Sequence, residues 1–266
     1  MNLDGAHVVV TGASRGIGAA TARACALAGA RVTLLARSQD VDTRVAEIVA
    51  AGGRAQALRV DLTDPGAVAT AAGRILADGP VNVLVNNAGA GRFLSVAETP
   101  PQEAVAMMAS PYFAAYHATY AFLPGMLARK RGCIVNVTSP ASRIVWPGAT
   151  AYTAARWAMR GFTKALQADL AGTGVRAMLV TPGKVASAYF ASNPGSEGRL
   201  PRIARLIPTL SPEDVAEAIV VGLRRDRADV VLPWSLRLLF AVHALAPWPV
   251  EALMVRTGWR RPAVDE

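Results

Sequence analysis

The strand-forming run His7-Val8-Val9-Val10-Thr11 passes without a spacer into Gly12-Ala13-Ser14-Arg15-Gly16-Ile17-Gly18 and then into an alanine-rich stretch. An apolar strand that breaks into a glycine turn and restarts as a helix leaves few architectures open. Glycine permits the sharp turn and leaves backbone N–H groups uncovered, and the following helix directs its partial positive end into the same space. Such a turn can hold a phosphate, and inside a βαβ unit it suits the pyrophosphate of a dinucleotide. The glycines do not follow the common G-x-G-x-x-G spacing, so the turn alone also fits a strand-to-helix junction without a ligand.

The remainder of the chain keeps the same rhythm. Short β-branched runs over residues 7–11, 31–36, 57–60, 81–85, 133–138, 175–180 and 230–232 predict strands. Helices are expected over 16–27, 41–50, 65–77, 102–129 and 151–170, and from the cap Ser211-Pro212-Glu213-Asp214 through 215–223. Strands alternating with helices predict an α/β fold, and their continuous apolar character predicts a parallel sheet buried on both faces. A length of 266 residues suits one large domain of this kind.

Hydrophobic residues make up 52% of the chain, yet no run approaches the roughly eighteen residues that cross a bilayer. So few residues precede the first strand that no signal peptide is expected, and a cytoplasmic location follows as the default. Cys25 and Cys133 lie in apolar contexts without metal-ligand or redox spacing and read as buried thiols; no metal site is expected. The formal charge of +9 is almost wholly arginine, since lysine occurs only at Lys130, Lys164 and Lys184. This balance favours an anionic cofactor or a membrane surface. The basic residues are too scattered for a nucleic-acid role.

Two further motifs sharpen the reading. The strand over 81–85 ends in Asn86-Asn87-Ala88-Gly89, and the strand over 133–138 ends at Ser139, with Tyr152 thirteen residues later. With Thr11-Gly12-x-x-x-Gly16-x-Gly18, this ordered set resembles the short-chain dehydrogenase/reductase family from about residue 3 to residue 187. The resemblance implies a single doubly wound, Rossmann-type domain with a seven-stranded, mainly parallel sheet. It implies a catalytic, cofactor-binding domain over 1–233, where the family core normally ends; the apolar residues beyond read as a short helical extension over 234–266. A homodimer or homotetramer built through the long helices is the family's practice.

The resemblance also distributes roles. Gly12, Ser14, Arg15, Gly16, Ile17 and Gly18 would form the pyrophosphate turn. Asp61, with Leu62 beside it, would hold the adenine amino group, and Asn87, Ala88 and Gly89 would lie against the adenosine ribose. Pro182, Gly183, Val185 and Ser187 would meet the nicotinamide amide. Asp61 could otherwise cap the next helix, and Asn87 could be a simple turn residue. No acid closes the second strand, where one would bond a ribose 2′-hydroxyl; Arg37 stands there, with Arg15 in the glycine turn. Two guanidinium groups suit a 2′-phosphate, so NADP(H) is expected in preference to NAD(H). The alternative leaves Arg37 solvated or paired with Asp40 or Asp42.

Hydride transfer to a ketone leaves an alkoxide, which needs a proton donor and a second hydrogen bond. Tyr152 matches the general acid/base and Ser139 the orienting hydroxyl, with Thr138 and Ser142 as near substitutes for Ser139. A free phenol titrates near 10, and the family places a lysine four residues on, one helical turn along the same face. Here that position is Arg156. A unit charge about 5 Å from a phenolate, at an effective dielectric near 20, stabilises it by roughly 3 kcal/mol. Arginine keeps that charge but does not deprotonate, so a proton relay through it is doubtful. The family's water-holding asparagine on the long helix would fall at or beside Pro111, and no asparagine occurs between Gln102 and Arg129. Proline there should kink the helix.

Residues 188–210 would cover the substrate. Tyr189, Phe190, Pro201, Ile203, Leu206 and Ile207 suit a mobile apolar lid over a small hydrophobic substrate, or an ordinary surface loop. The extension from Ser235 carries an apolar helix broken at Pro247-Trp248-Pro249, which would pack on the cleft, on a subunit or on a membrane surface. His243, without a partner histidine, reads as a packed or surface residue. The sequence therefore predicts an NADP(H)-dependent reductase or dehydrogenase acting on a hydrophobic ketone or secondary alcohol. Arg156 and Pro111 keep open a catalytically impaired NADP(H)-binding sensor on the same fold, and the tail a membrane-surface protein.

Overall fold

The computed structural model describes residues 1–261; the last five residues of the expected extension lie outside them. Seven strands form one sheet: β1 His7–Thr11, β2 Arg31–Ala36, β3 Arg54–Arg59, β4 Val83–Asn86, β5 Gly132–Val137, β6 Val175–Pro182 and β7 Asp229–Leu232. Their order is β3-β2-β1-β4-β5-β6-β7, and every neighbouring pair is parallel. The order reverses between β1 and β4. In a doubly wound sheet the crevice for a ligand opens beyond the strand ends at that reversal.

Alternate strand residues serve opposite faces. Val8, Val10, Val83, Val85, Val135 and Val180 meet α1 (Gly16–Leu27), α2 (Asp40–Ala50) and α7 (Pro212–Arg224) through Ala22, Cys25, Val41 and Ile219. Val9, Leu84, Ile134 and Ala177 meet α3 (Pro65–Ala77), α5 (Ala114–Ala128) and α6 (Thr150–Asp169) through Ile75, Ala118, Phe122 and Leu166. Burial drives the Cys25 thiol up to about 12 and the Cys133 thiol to about 11, so both are inert at neutral pH. Ser211 and Asp214 form the reciprocal cap expected at the start of α7.

Three boundaries differ from the sequence pattern. β3 begins at Arg54 rather than near residue 57; it is an edge strand whose polar Arg54 and Gln56 register with β2, so apolar patterning understates it. β4 begins at Val83 rather than Val81, whose carbonyl accepts from the Arg129 side chain. The single helix expected over 102–129 is two, α4 (Pro101–Met108) and α5, separated by a π-turn at Ala109–Phe113. Ser110 leaves the helical region there (φ −134°, ψ 103°), immediately before Pro111, which has no N–H to continue the ladder.

After β7, α8 (Trp234–Leu245) and α9 (Pro247–Thr257) meet at a 120° bend, with Pro247 starting the second helix. No single helix among the described residues is long and apolar enough to cross a membrane. Leu236, Phe240, Val250 and Met254 bury against Ile144, Ile203 and Ile207.

His7, at the buried start of β1, is a titration point for the whole sheet. The Arg31 guanidinium donates to its Nδ1 at 2.9 Å, so its Nε2–H donates to Thr33 Oγ1 at 2.8 Å and the ring is neutral. Burial first, and the Arg31 charge second, lower its pKa from 6.5 to about 4. The unfolded chain therefore takes up a proton below about pH 6.5 that the folded chain refuses until about pH 4. Thermal unfolding followed by circular dichroism should show Tm flat above that window and falling through it, and His7→Asn, though less stable throughout, should lose this part of the slope.

Candidate active site

Because all seven strands run the same way, the residues that follow β1 to β6 emerge on one edge of the sheet. Gly12, Arg37, Asp61, Asn87, Ser139 and Gly183 each sit there, one or two residues beyond their strands. The first turn is locked to the end of β4. Thr11 Oγ1 accepts from the N–H groups of Asn87 and Ala88, and Asn87 Nδ2 donates to the carbonyls of Thr11 and Gly12. Asn87 is thus a cross-strand tie rather than a simple turn residue. A Cβ on Gly12 (φ +63°) would stand 2.8 Å from Ala88 Cα, and one on Gly18 would stand 2.3 Å from the Gly12 carbonyl oxygen. The N-terminus of α1 has neither a capping side chain nor an acid in its first turn, so its N–H groups face open space.

That space is a cavity of about 1030 Å³. It brings together every catalytic and cofactor-contact residue expected from the sequence except Gly18, which lies behind the turn against Gly12. At one end, Arg15 and Arg37 are exposed on its rim, Arg37 with 74% of its side chain accessible. Neither Asp40 nor Asp42 engages Arg37: Asp40 accepts from Ser38, and Asp42 pairs with Arg59. Its nearest acid is Asp61, at 3.9 Å. Asp61 does not cap the next helix, a role taken by Asp64. Its Oδ1 accepts from both the N–H and the hydroxyl of Thr63, and these bonds, with a smaller contribution from the Arg37 charge, hold its carboxyl below the usual range.

At the other end stand Ser139 and Tyr152. Ser139 caps a short 3-10 turn, its Oγ accepting from Ala141 N at 3.1 Å, which leaves its O–H proton free to donate into the cavity. The neighbouring hydroxyls are committed to backbone: Thr138 donates to the Arg156 carbonyl and Ser142 to the Ser139 carbonyl. Tyr152, on α6, is 6% exposed, with Phe93 4.6 Å from its ring centroid. Arg156, one turn on, is equally buried; its guanidinium carbon lies 4.8 Å from the Tyr152 centroid. It contacts the ring face. Among the described residues Arg156 has no carboxylate partner, and its Nε has no hydrogen-bond acceptor. The terminal nitrogens lie over Gly89, where a Cβ would sit 3.1 and 3.2 Å from them, and Pro111 Cβ borders the same point at 3.4 Å.

Tyr189 joins this group, although the sequence marks it only as part of an apolar lid. Its hydroxyl donates to the Gly91 carbonyl, and its phenol is approached by Tyr152 and Arg156. Burial, with Tyr152 beside it, pushes its ionisation well above the ordinary phenol range. The only signal for it in the sequence is its place two residues beyond Ser187.

The lid itself is fastened rather than free. Arg199 makes a two-point pair with Glu98 at 2.7 and 2.6 Å and stacks on Trp259 at 4.4 Å, joining the lid to the loop after β4 and to the chain's last described turn. Arg199 and Ser95 together hold the Glu98 carboxyl far below its usual range. Lys184 pairs with Glu197, and Ser196 accepts from Phe93 N.

Residues 6–197 match the family described as short chain dehydrogenase. The chain belongs to the short chain dehydrogenase family. It is 31% identical to a dehydrogenase/reductase SDR family protein 7-like of Anopheles gambiae over 258 residues, covering 92% of this chain and 81% of that one. It is 38% identical over 221 residues to an inactive 2-(S)-hydroxypropyl-CoM dehydrogenase 2 of Xanthobacter autotrophicus, covering 79% and 94%. Among solved structures, a metagenomic short-chain oxidoreductase in complex with NADP superposes with a TM-score of 0.72 at 37% identity, covering 87% of this chain and 98% of that one. The oxidoreductase family, the doubly wound parallel fold and its seven strands are therefore established together.

The Glu98–Arg199 pair gives the lid a measurable anchor. Arg199→Ala should speed limited tryptic cleavage after the exposed Arg202 and Arg205 several-fold, as read by mass spectrometry. An unchanged rate would show that the tyrosine and serine contacts suffice to hold the lid.

Proposed function

We propose that this family member is an NADP(H)-dependent oxidoreductase interconverting a hydrophobic ketone and its secondary alcohol. The observation that carries the reading is the convergence, in one cavity, of an uncapped glycine turn, two rim arginines, and the Ser139–Tyr152–Arg156 group. The residues fit a dinucleotide: the uncapped N-terminus of α1 and the exposed Arg15 and Arg37 suit its phosphates, and at the other end Arg156 is a buried cation whose Nε has no acceptor among the described residues. Burying such a charge is costly unless polar groups meet it.

In this reading α1 and the turn hold the pyrophosphate, Arg15 and Arg37 grip the 2′-phosphate, and Asp61 and Leu62 border the adenine. Asn87 to Gly89 line the adenosine ribose, and Pro182, Gly183, Val185 and Ser187 flank the nicotinamide. The bound nicotinamide supplies or accepts the hydride. Ser139 donates its free O–H to the substrate oxygen and orients it. Tyr152 gives that oxygen a proton in reduction and takes it back in oxidation. Arg156 donates to ribose hydroxyls and favours the phenolate through its fixed charge.

NADPH oxidation followed by absorbance with a panel of hydrophobic ketones tests this directly. Tyr152→Phe should lower kcat by roughly a hundredfold to ten-thousandfold with NADPH binding retained. Arg156→Met, which keeps length but removes charge, should lower it about a hundredfold. Equal rates in wild type and Tyr152→Phe would remove the enzymatic role. The sensor reading is favoured by one observation, that Arg156 meets the face of the Tyr152 ring. That reading expects tight NADPH binding with no oxidation by any carbonyl in the panel.

Cofactor choice has its own test. Arg15→Ala with Arg37→Ala should weaken NADPH binding by roughly tenfold to a hundredfold in calorimetric titration and leave NADH unchanged, the loss expected for charge-assisted bonds to one phosphate. Equal losses for both nucleotides would place these arginines outside 2′-phosphate recognition.

A further inference from the structure

The cavity does not end at Tyr152. Trp146 packs against two apolar clusters at once: the aromatic one containing Phe93, Tyr152, Tyr189 and Phe190, and an aliphatic one built by the lid and the C-terminal helices. Beyond Trp146 the lining is supplied by Ile144, Ile203, Ile207, Leu236, Leu239 and Met254. These come from the loop after β5, from the lid, and from the consecutive helices α8 and α9, three regions distant in sequence that converge on the cavity. None of the six carries a charged or hydrogen-bonding side chain; the polar atoms beside them are Ser235 Oγ and Trp146 Nε1, each buried without a partner among the described residues.

Resting on the oxidoreductase reading above, we infer that this aliphatic wing is the binding site for an unbranched alkyl chain, so that the substrate is a long-chain aliphatic ketone or secondary alcohol with its reacting carbon near one end. A sugar or other polyol fits poorly, because its several hydroxyls would exchange water for walls that offer only Ser235 Oγ and Trp146 Nε1 to bond with. Phe93 lies 4.6 Å from the Tyr152 ring and 5.6 Å from the Trp146 ring, and all three line the cavity, so an aromatic row leads from the reacting hydroxyl to the wing. The C-terminal helices are then part of the substrate site. They cover an alkyl chain that the sheet and the lid alone would leave facing water.

The wing predicts a chain-length dependence that can be read without turnover. Calorimetric titration of the full-length protein, saturated with oxidised NADP, with butanone, 2-hexanone, 2-octanone and 2-decanone should show Kd falling about fourfold for each added methylene that enters the wing. Leu239→Asp should flatten that dependence, and Ile203→Asp, in the lid rather than on α8, should flatten it as well if the first variant folds poorly. Affinity independent of chain length in the wild-type protein, or the same slope in a folded variant, overturns the inference. Because binding is measured separately from NADPH oxidation, a protein that binds the series but oxidises no NADPH fails only the oxidoreductase reading. One that reduces butanone without a chain-length slope fails only this inference.

Discussion

The site depends on one close approach, where the backbone of the glycine turn after β1 lies against the backbone that leaves β4. Ala88 Cα stands 2.8 Å from the position a Gly12 Cβ would take, and Asn87 reaches across to bond the carbonyls of both Thr11 and Gly12. The strand order reverses at this seam, so α1 and the chain after β4 depart to opposite faces and leave a crevice between them. Any side chain larger than hydrogen at Gly12 or Gly18 would wedge the seam apart. A buried amide chain below it, from Asn86 to Thr119 and Asn136 and on from Asn136 to Thr163, fixes β4 and β5 to α5 and α6. The position of Tyr152 relative to the turn follows from that bracing.

Around the catalytic end, three residues make sense only together. Arg156 is longer and flatter than a lysine, and its terminal nitrogens need the space above Gly89, with Pro111 closing the far side. The π-turn that Pro111 enforces sends the Ser110 carbonyl toward Ala90 N, which holds the strand-exit loop carrying Gly89 beside the broken helix. Face-on contact with Tyr152 stabilises the pair by about 0.5–2 kcal/mol, little against the cost of burying a guanidinium without a carboxylate. The balance favours filling the cavity with polar acceptors. A cation held in this way can act on a phenol through its field, and it cannot hand on a proton.

Much of this was legible in the sequence because glycine turns, strand-end asparagines and a cap such as Ser211-Pro212-Glu213-Asp214 report local backbone needs that tertiary packing rarely overrides. Strand count, the helix break at Pro111 and the cavity-lining positions follow from such signals. The start of β3 was obscured because an edge strand carries arginine and glutamine where a central strand carries valine. Whether Asp61 or Asp64 capped α3, and which acid faced Arg37, turned on loop geometry that residue type does not encode. Tyr189 was hidden for a different reason. Its proximity to Tyr152 and Arg156 is set by a bond to the Gly91 carbonyl, a contact between residues 98 positions apart.

The last third of the molecule shows how a shared crevice becomes a particular one. The family match ends at residue 197, inside the lid, so β1 to β6 and the turns after them fall within it, whereas β7 and most of the far wall do not. Arg199 stands just past that limit and binds Glu98 on one side and Trp259 on the other, tying together elements that common and specific parts contribute separately. A lid anchored at both its polar and its aromatic contacts admits substrate only by breaking some of them. For the alkyl substrate proposed above, burial of its apolar surface would supply that energy, and the aliphatic walls that shape the wing would also set how readily the lid opens.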